Sequence, residues 1–196
     1  MKKFFAVLLS ALIMLTCAAC GNSAEKAPVP DKPAEAAKPE KILVAYFSCT
    51  GHTKKAALEV AEILNADTFE IVPEKPYTPA DLNYSVENCR ANVEQKDSAA
   101  RPAIADKIAN PAQYKAIVIA FPIWWGVEPR IIDTFVESYD LGGKTLVPVC
   151  TSGGSDIVKA ENNLRELCKG ATVTGGKRLG IISKDEVKAW LDTLNL

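Results

Sequence analysis

The chain has 196 residues, of which 23 are Lys or Arg and 24 are Asp or Glu, giving a formal charge of −1, with 48% hydrophobic, 24% charged and 7% aromatic content. These figures exclude intrinsic disorder, a collagen-like fibre and a disulfide-dense miniprotein, and a pI of about 5.9 leaves no electrostatic footprint for nucleic acid. The length suits one full hydrophobic core.

The first segment stands apart from the fold. Lys2 and Lys3 precede an apolar run from Phe4 to Leu15 that reaches small residues at Ala18 and Ala19, the pattern of an export signal. The run is shorter than the roughly 20 residues of a membrane-spanning helix. Cys17-Ala18-Ala19-Cys20 resembles the lipobox of bacterial lipoproteins, with Cys17 where Leu is usual, and the resemblance implies acylation of Cys20 after cleavage. A plain secretory signal cut nearby is the alternative. Cleavage there removes Lys2 and Lys3 and takes the formal charge from −1 to −3. Residues 20–40 carry Pro28, Pro30, Pro33 and Pro39 and almost nothing to bury, the composition of an extended, semi-stiff spacer. The expected organisation is a signal at 1–19, an acylated Cys20 with its linker at 20–40, and a folded domain at 41–196. It places the domain outside the cell, tethered to the outer face of the bacterial cytoplasmic membrane or to another envelope membrane.

From Lys41 onward, strand and helix signals alternate. Ile42–Phe47 is a continuous apolar run of strand length, followed by Ala57, Val60, Ala61 and Leu64 at helical spacing. Thr68–Val72 is a second, weaker strand. The long crossover Pro73–Gln113 predicts a helix around Ser85–Glu94, acting either as a lid over the site or as packing, with Tyr77 and Tyr84 as its aromatic candidates. Ala116–Phe121 is a buried strand, and Ile132, Phe135, Val136 and Tyr139 follow at helical spacing with Pro129 near the helix start. Thr145–Cys150 is another strand, then a helix carries Ile157, Leu164, Leu167 and Cys168. Ala171–Thr174 and Leu179–Ile182 form a last, interrupted strand before a closing helix with Val187, Trp190, Leu191 and Leu194 on one side. Uniformly apolar strands separated by amphipathic helices imply an α/β fold with a parallel sheet covered on both faces.

In such sheets, ligands bind beyond the carboxyl ends of the strands, so the turns after the first, third and fourth strands carry the information. The first, Ser48-Cys49-Thr50-Gly51-His52-Thr53, runs directly into a helix. It reads either as a neutral phosphate cradle of hydroxyls and backbone N–H groups at a helix start or as an ordinary Ser/Thr cap. It matches neither GxxxxGK[ST] nor GxGxxG. The second, Pro122-Ile123-Trp124-Trp125-Gly126, offers adjacent indoles suited to a flat conjugated ring; the alternative is one indole packed underneath and one on the surface. The third, Thr151-Ser152-Gly153-Gly154-Ser155, offers either a close backbone edge with N–H donors or a flexible turn. All three fall on one rim, which fits a flat ring bearing a phosphorylated tail.

YFSCTGHTKKAA, FPIWWG and CTSGGS, with PYTPADLNY and ARPAI between, resemble the flavodoxin-like proteins, and in particular their bacterial short-chain subfamily. The likeness covers nearly all of 41–196. It implies a three-layer sandwich around a five-stranded parallel sheet of order 2-1-3-4-5, and non-covalent FMN as cofactor. By motif position, Ser48, Cys49, Thr50, Gly51, His52 and Thr53 take the phosphate end. Pro122, Ile123, Trp124, Trp125 and Gly126 lie on one side of the isoalloxazine, and Thr151, Ser152, Gly153 and Gly154 on the other. His52 stands where the family commonly has Asn, and its peptide N–H remains a donor. The resemblance also implies backbone donors from Gly153 and Gly154 at the pyrimidine edge and a peptide near Gly126 at ring N5. With no cation placed at the ring, the expected reduction potential is low.

No side chain is expected to be catalytic in its own right, and no CxxC or metal-type Cys/His spacing occurs, so no metal is expected. Of the four cysteines beyond the signal, the implied strand order separates Cys49 from Cys150 too far for a disulfide, and Cys168 lies at the far end of the helix that begins near Cys150. Cys49–Cys89 is the pairing left. Three functions remain open: an electron carrier serving a redox partner protein; a flavin-dependent reductase of a quinone, drawing on the membrane quinone pool, or of another small oxidant; and a flavin-empty binding or scaffold domain.

Overall fold

The computed structural model describes residues 41–180 and 182–196. The expected leader, Cys20 and spacer lie outside the described residues. In chain order the elements are β1 (Lys41–Tyr46), α1 (His52–Leu64), β2 (Asp67–Glu70), α2 (Arg90–Lys96), a 3-10 turn (Pro111–Gln113), β3 (Tyr114–Pro122), α3 (Arg130–Glu137), β4 (Thr145–Thr151), α4 (Val158–Leu167), β5 (Thr172–Val173), β6 (Lys177–Arg178) and α5 (Lys184–Asp192). The sheet is parallel throughout, in the order β2-β1-β3-β4-β5, with β6 on the same edge of β4 as β5. The expected fold class and strand order are those observed.

Alternate residues of the central strands supply two cores. Leu43, Ala45, Ile117, Ile119 and Phe121 pack with Ile131, Ile132 and Phe135 of α3 and Ala160 and Leu164 of α4. Val44, Tyr46, Val118, Ala120, Val147 and Val149 pack with Ala57, Val60 and Ala61 of α1 and Val187 and Leu191 of α5. Strands buried on both faces are apolar along their whole length, which is why they read so clearly as runs.

Three elements depart from expectation. The crossover helix starts at Arg90, because residues 83–89 close successive turns instead: Val86 N–H donates to Asn83 O at 2.8 Å, Ser85 N–H to the Asn83 side chain at 3.3 Å and Cys89 N–H to Val86 O at 3.0 Å. Tyr139 lies beyond the end of α3, its hydroxyl accepting the Ile108 N–H at 2.9 Å. The fifth strand position is filled by two pairs of residues, the second being Lys177–Arg178, with Leu179 N–H bonding Cys150 O at 2.7 Å. Pro148 of β4 stands opposite the gap. It has no N–H to donate, and the chain at Gly176 swings to the Glu161 carboxylate of α4, which accepts its N–H at 2.7 Å.

Gly176 passes so close to β4 that a Cβ there would stand 2.6 Å from Pro148 O and 2.9 Å from Ile157 Cδ1. Backbone on one side leaves nothing to yield, so Gly176→Ala should destabilise the domain by about 1–3 kcal/mol in chemical denaturation.

Candidate functional site

β1 ends at Tyr46, and the chain turns through Ser48–Gly51 into α1. Ser48 Oγ accepts the Gly51 N–H at 3.1 Å, and Gly51, at φ +86°, is the residue before the helix, with no side-chain cap on α1. The first peptide N–H groups of α1, from His52 to Lys54, therefore remain free of any capping side chain at the positive end of the helix. Thr53 is buried at 2% exposure, and its hydroxyl meets the Thr151 hydroxyl at 2.7 Å. That contact joins the first and third loops across 98 residues of sequence.

The second loop is a tight turn. Trp124 and Val127 exchange backbone hydrogen bonds of 2.9 and 3.2 Å, and the two residues between them have φ of +53° (Trp125) and +87° (Gly126). Two consecutive positive φ values are the mark of a type I′ turn, normally filled by Asn or Gly. Tryptophan there costs about 1–2 kcal/mol of backbone strain. The two indoles have separate fates. Trp124 is 5% exposed and wedged edge-on between Phe47 and Tyr77, at centroid distances of 5.6 and 5.3 Å. Trp125 is 66% exposed, with the Tyr84 ring perpendicular to it at 6.4 Å.

The third loop closes on itself through a 2.5 Å bond from Ser152 Oγ to Ser155 O. A Cβ on Gly153 or Gly154 would meet nothing within 4 Å, and neither has positive φ. The protein's own packing does not demand glycine at either place; the approach of a ligand would.

These loops border a cleft of about 760 Å³. Cys49, Thr50, His52, Thr53, Pro122, Ile123, Trp124, Thr151, Ser152 and Gly153 line it. Ser48, Gly51, Trp125, Gly126 and Gly154 do not, although each belongs to one of its three loops. The sequence reading missed the outer face of α1 (Lys55, Ala56, Glu59), Leu82 of the crossover, and Leu179, Gly180, Ile182 and Val187 near the C-terminus. Tyr84 also lines the cleft, whereas Tyr77 packs beneath it, against Phe47 and Trp124. These positions gave no signal, since nothing local marks a residue that distant parts of the chain bring to a rim.

All four cysteines of the described residues are free thiols, so the candidate Cys49–Cys89 pairing is not formed. Cys49 is exposed at the cleft, and desolvation by its surroundings pushes its thiol up to about 11, against the pull of Arg90. Under the cleft, Tyr77 donates its hydroxyl proton to Glu94, which also receives Arg90 Nε at 2.6 Å. The Arg90 guanidinium lies 4.0 Å over the Tyr77 ring. Burial and Glu94 both push the Tyr77 hydroxyl well above its ordinary value. Below the Trp turn lies a second polar cluster. Glu128, with no exposure, receives a hydrogen bond from Asn163 and stands within hydrogen-bonding range of Asp133. Arg130 reaches Asp133 at 3.1 Å and Arg101 at 3.7 Å. Burial raises both carboxyls, Glu128 to about 7. One oxygen of each, Glu128 Oε2 and Asp133 Oδ1, has no other partner, so a single proton held by Glu128 satisfies the pair.

A family model described as flavodoxin matches residues 41–194. No curated protein matches the chain. Among solved structures, a protein from Bacteroides eggerthii described as a flavoprotein is 41% identical, with a TM-score of 0.77, covering 80% of this chain and 98% of its own. A protein from Bacteroides uniformis, also described as a flavoprotein, is 46% identical, with a TM-score of 0.76 and coverage of 79% and 99%. A flavoprotein from Lactobacillus acidophilus solved in complex with FMN is 25% identical, with a TM-score of 0.62 and coverage of 77% and 98%.

The buried carboxyl pair has a signature in stability. Because folding raises the Glu128 value from about 4.5 to about 7, the native state holds the proton more tightly than the unfolded chain, and stability falls as pH rises between those values. Thermal unfolding followed from pH 5 to pH 8 should show a decline of up to about 3 kcal/mol, which Glu128→Gln removes in large part by keeping the group neutral.

Proposed function

This chain belongs to the flavodoxin family, and we propose that it is an exported, membrane-tethered FMN-binding redox protein that takes part in electron transfer. The observation that carries this reading is the convergence of three loops, each with the family's residues, on one cleft at the carboxyl ends of β1, β3 and β4. The Lactobacillus acidophilus flavoprotein in complex with FMN supports the choice of cofactor.

The donors fit the group. The uncapped start of α1, with the hydroxyls of Thr50 and Thr53, would hold the phosphate of FMN without cationic side chains. The exposed face of Trp125 would take one side of the ring, and Thr151–Gly154 would approach from the other, where the two glycines leave room for it. Bound FMN supplies one- and two-electron redox chemistry. The protein's contribution is position and environment: Trp124, backed from beneath by Tyr77, would give the cleft aromatic surface, and Pro122 and Ile123 would exclude water at its side.

Reduction of a quinone or another small oxidant is the second reading. It is favoured by the exposed aromatic pair Tyr84 and Trp125 at the cleft mouth, 43% and 66% accessible, where a flat acceptor could reach the ring. Anaerobic reductive titration separates the two, since a carrier is expected to accept electrons singly and a reductase in pairs. A flavin-empty scaffold has no use for an intact loop set, and no observation favours it. Export and tethering rest on the Lys2–Cys20 pattern and the Pro-rich spacer after it; two or more acyl chains would anchor the domain stably.

Isothermal titration with FMN should give a saturable signal, and Thr50→Ala with Thr53→Ala should weaken it at least about tenfold. A flat titration of folded protein overturns the reading. In a bacterial host, Cys20→Ser should abolish labelling by a palmitate analogue and release the protein from the membrane fraction.

A further inference from the structure

The crossover helix α2 reaches under the Trp turn with two side chains one helical turn apart. Gln95, 7% exposed, donates its amide N–H groups to Trp124 O at 3.1 Å and Glu128 O at 2.8 Å, pinning the backbone on both sides of the strained pair. Asn92, 4% exposed, acts on the side chain. Its Oδ1 accepts the Trp125 indole N–H at 2.8 Å, and its Nδ2 donates to Tyr84 O at 3.0 Å and Val86 O at 2.9 Å. A flipped amide would set oxygen against two carbonyls and nitrogen against an N–H, so only this orientation satisfies all three partners. An indole that is 66% exposed, with one perpendicular ring beside it, has little packing to hold its rotamer. A buried amide fixes it instead. A bulky side chain kept at φ +53° and then tethered at its far end is a costly arrangement that packing does not explain.

We propose that Asn92 is a positioning residue that holds the Trp125 indole as a fixed, electron-rich platform for the flavin ring. The inference rests on the reading that Trp125 faces that ring. An indole N–H bonded to a carbonyl oxygen carries more electron density on its π face, and such a face stacks better on an electron-poor ring than on an electron-rich one. Asn92 therefore favours the oxidised cofactor over the reduced one, and by linkage lowers the potential of the bound group. Because the same amide ties Tyr84 and Val86, it also sets the crossover against the turn, giving the least regular part of the chain a role in preparing the site.

The test is a cycle of Asn92→Leu, Trp125→Phe and the double variant, each checked for folding by thermal unfolding. Without FMN, nitrogen-15 spectra should show the Trp125 indole N–H, identified by its loss in Trp125→Phe, exchanging at least about ten times faster in Asn92→Leu than in the parent. With FMN, Asn92→Leu should lose about five- to tenfold in affinity for the oxidised form and less for the reduced form, raising the potential, and should lose at most about twofold on the Trp125→Phe background, where only its ties to Tyr84 and Val86 remain. An indole exchange rate that is the same with and without Asn92 overturns the proposal, as does an affinity loss equally large on the Trp125→Phe background, which would mark a purely structural effect. Failure of the parent to bind FMN overturns the cofactor reading and this role together, whereas those two results sink the Asn92 role alone.

Discussion

Parallel pairing of β1 with β3 and of β3 with β4 sets Tyr46 beside Ala120 and Pro122 beside Thr151, so three segments of chain leave the sheet at one edge. Everything chemical in the domain depends on that register. A shift of one residue in any of these strands would turn its apolar set from one core to the other, and both cores are closed by helices with no room for polar replacements. The register is therefore held by burial on two faces, and the loops inherit its precision. The 2.7 Å contact between Thr53 and Thr151 is a local expression of it, linking loops that the sheet brings to the same rim.

The three loops present neutral parts to the cleft, namely backbone N–H groups, hydroxyls and the Trp124 indole, and the charged groups lining it are Lys55 and Glu59 of α1. Other ionised groups pair beneath it: Arg90 with Glu94, and Arg130 and Arg101 with Asp133. Charge kept below the surface can set the local field without competing for the ligand. The strained turn at Trp125 and Gly126 belongs to the same design. Its cost is offset by hydrogen bonds from the buried Gln95 amide of α2 to the backbone on either side of it and from the indole to Asn92. Removing one bond leaves a buried carbonyl or amide unsatisfied, so the assembly stands or falls as a unit.

Much of this was legible in the chain. Ile42–Phe47, Ala116–Phe121 and Thr145–Cys150 read as strands because burial on both faces leaves no polar position to confuse the period, and the three loops were found because the ends of such strands are where α/β folds bind ligands. The separation of the two indoles was left open. Neighbours in a turn diverge according to its backbone type, and nothing in FPIWWG announces a positive φ at a tryptophan. The crossover was least legible: α2 has only seven residues, too short to show a period, and its turns at 83–89 are built from local hydrogen bonds that a helical pattern imitates. Glu128 and Asp133 stand out in no local pattern, yet both are buried.

Local pattern thus determined which segments become strands, which become helices, and which loops share a rim, because those properties follow from periodicity and from the handedness of parallel connections. Tertiary structure alone decided what the crossover does. Asn92 and Trp125 are 33 residues apart, and their bond exists because the chain between them closes a long loop against the sheet edge. No local propensity encodes such a contact; it forms only when the whole core has fixed the two segments in place.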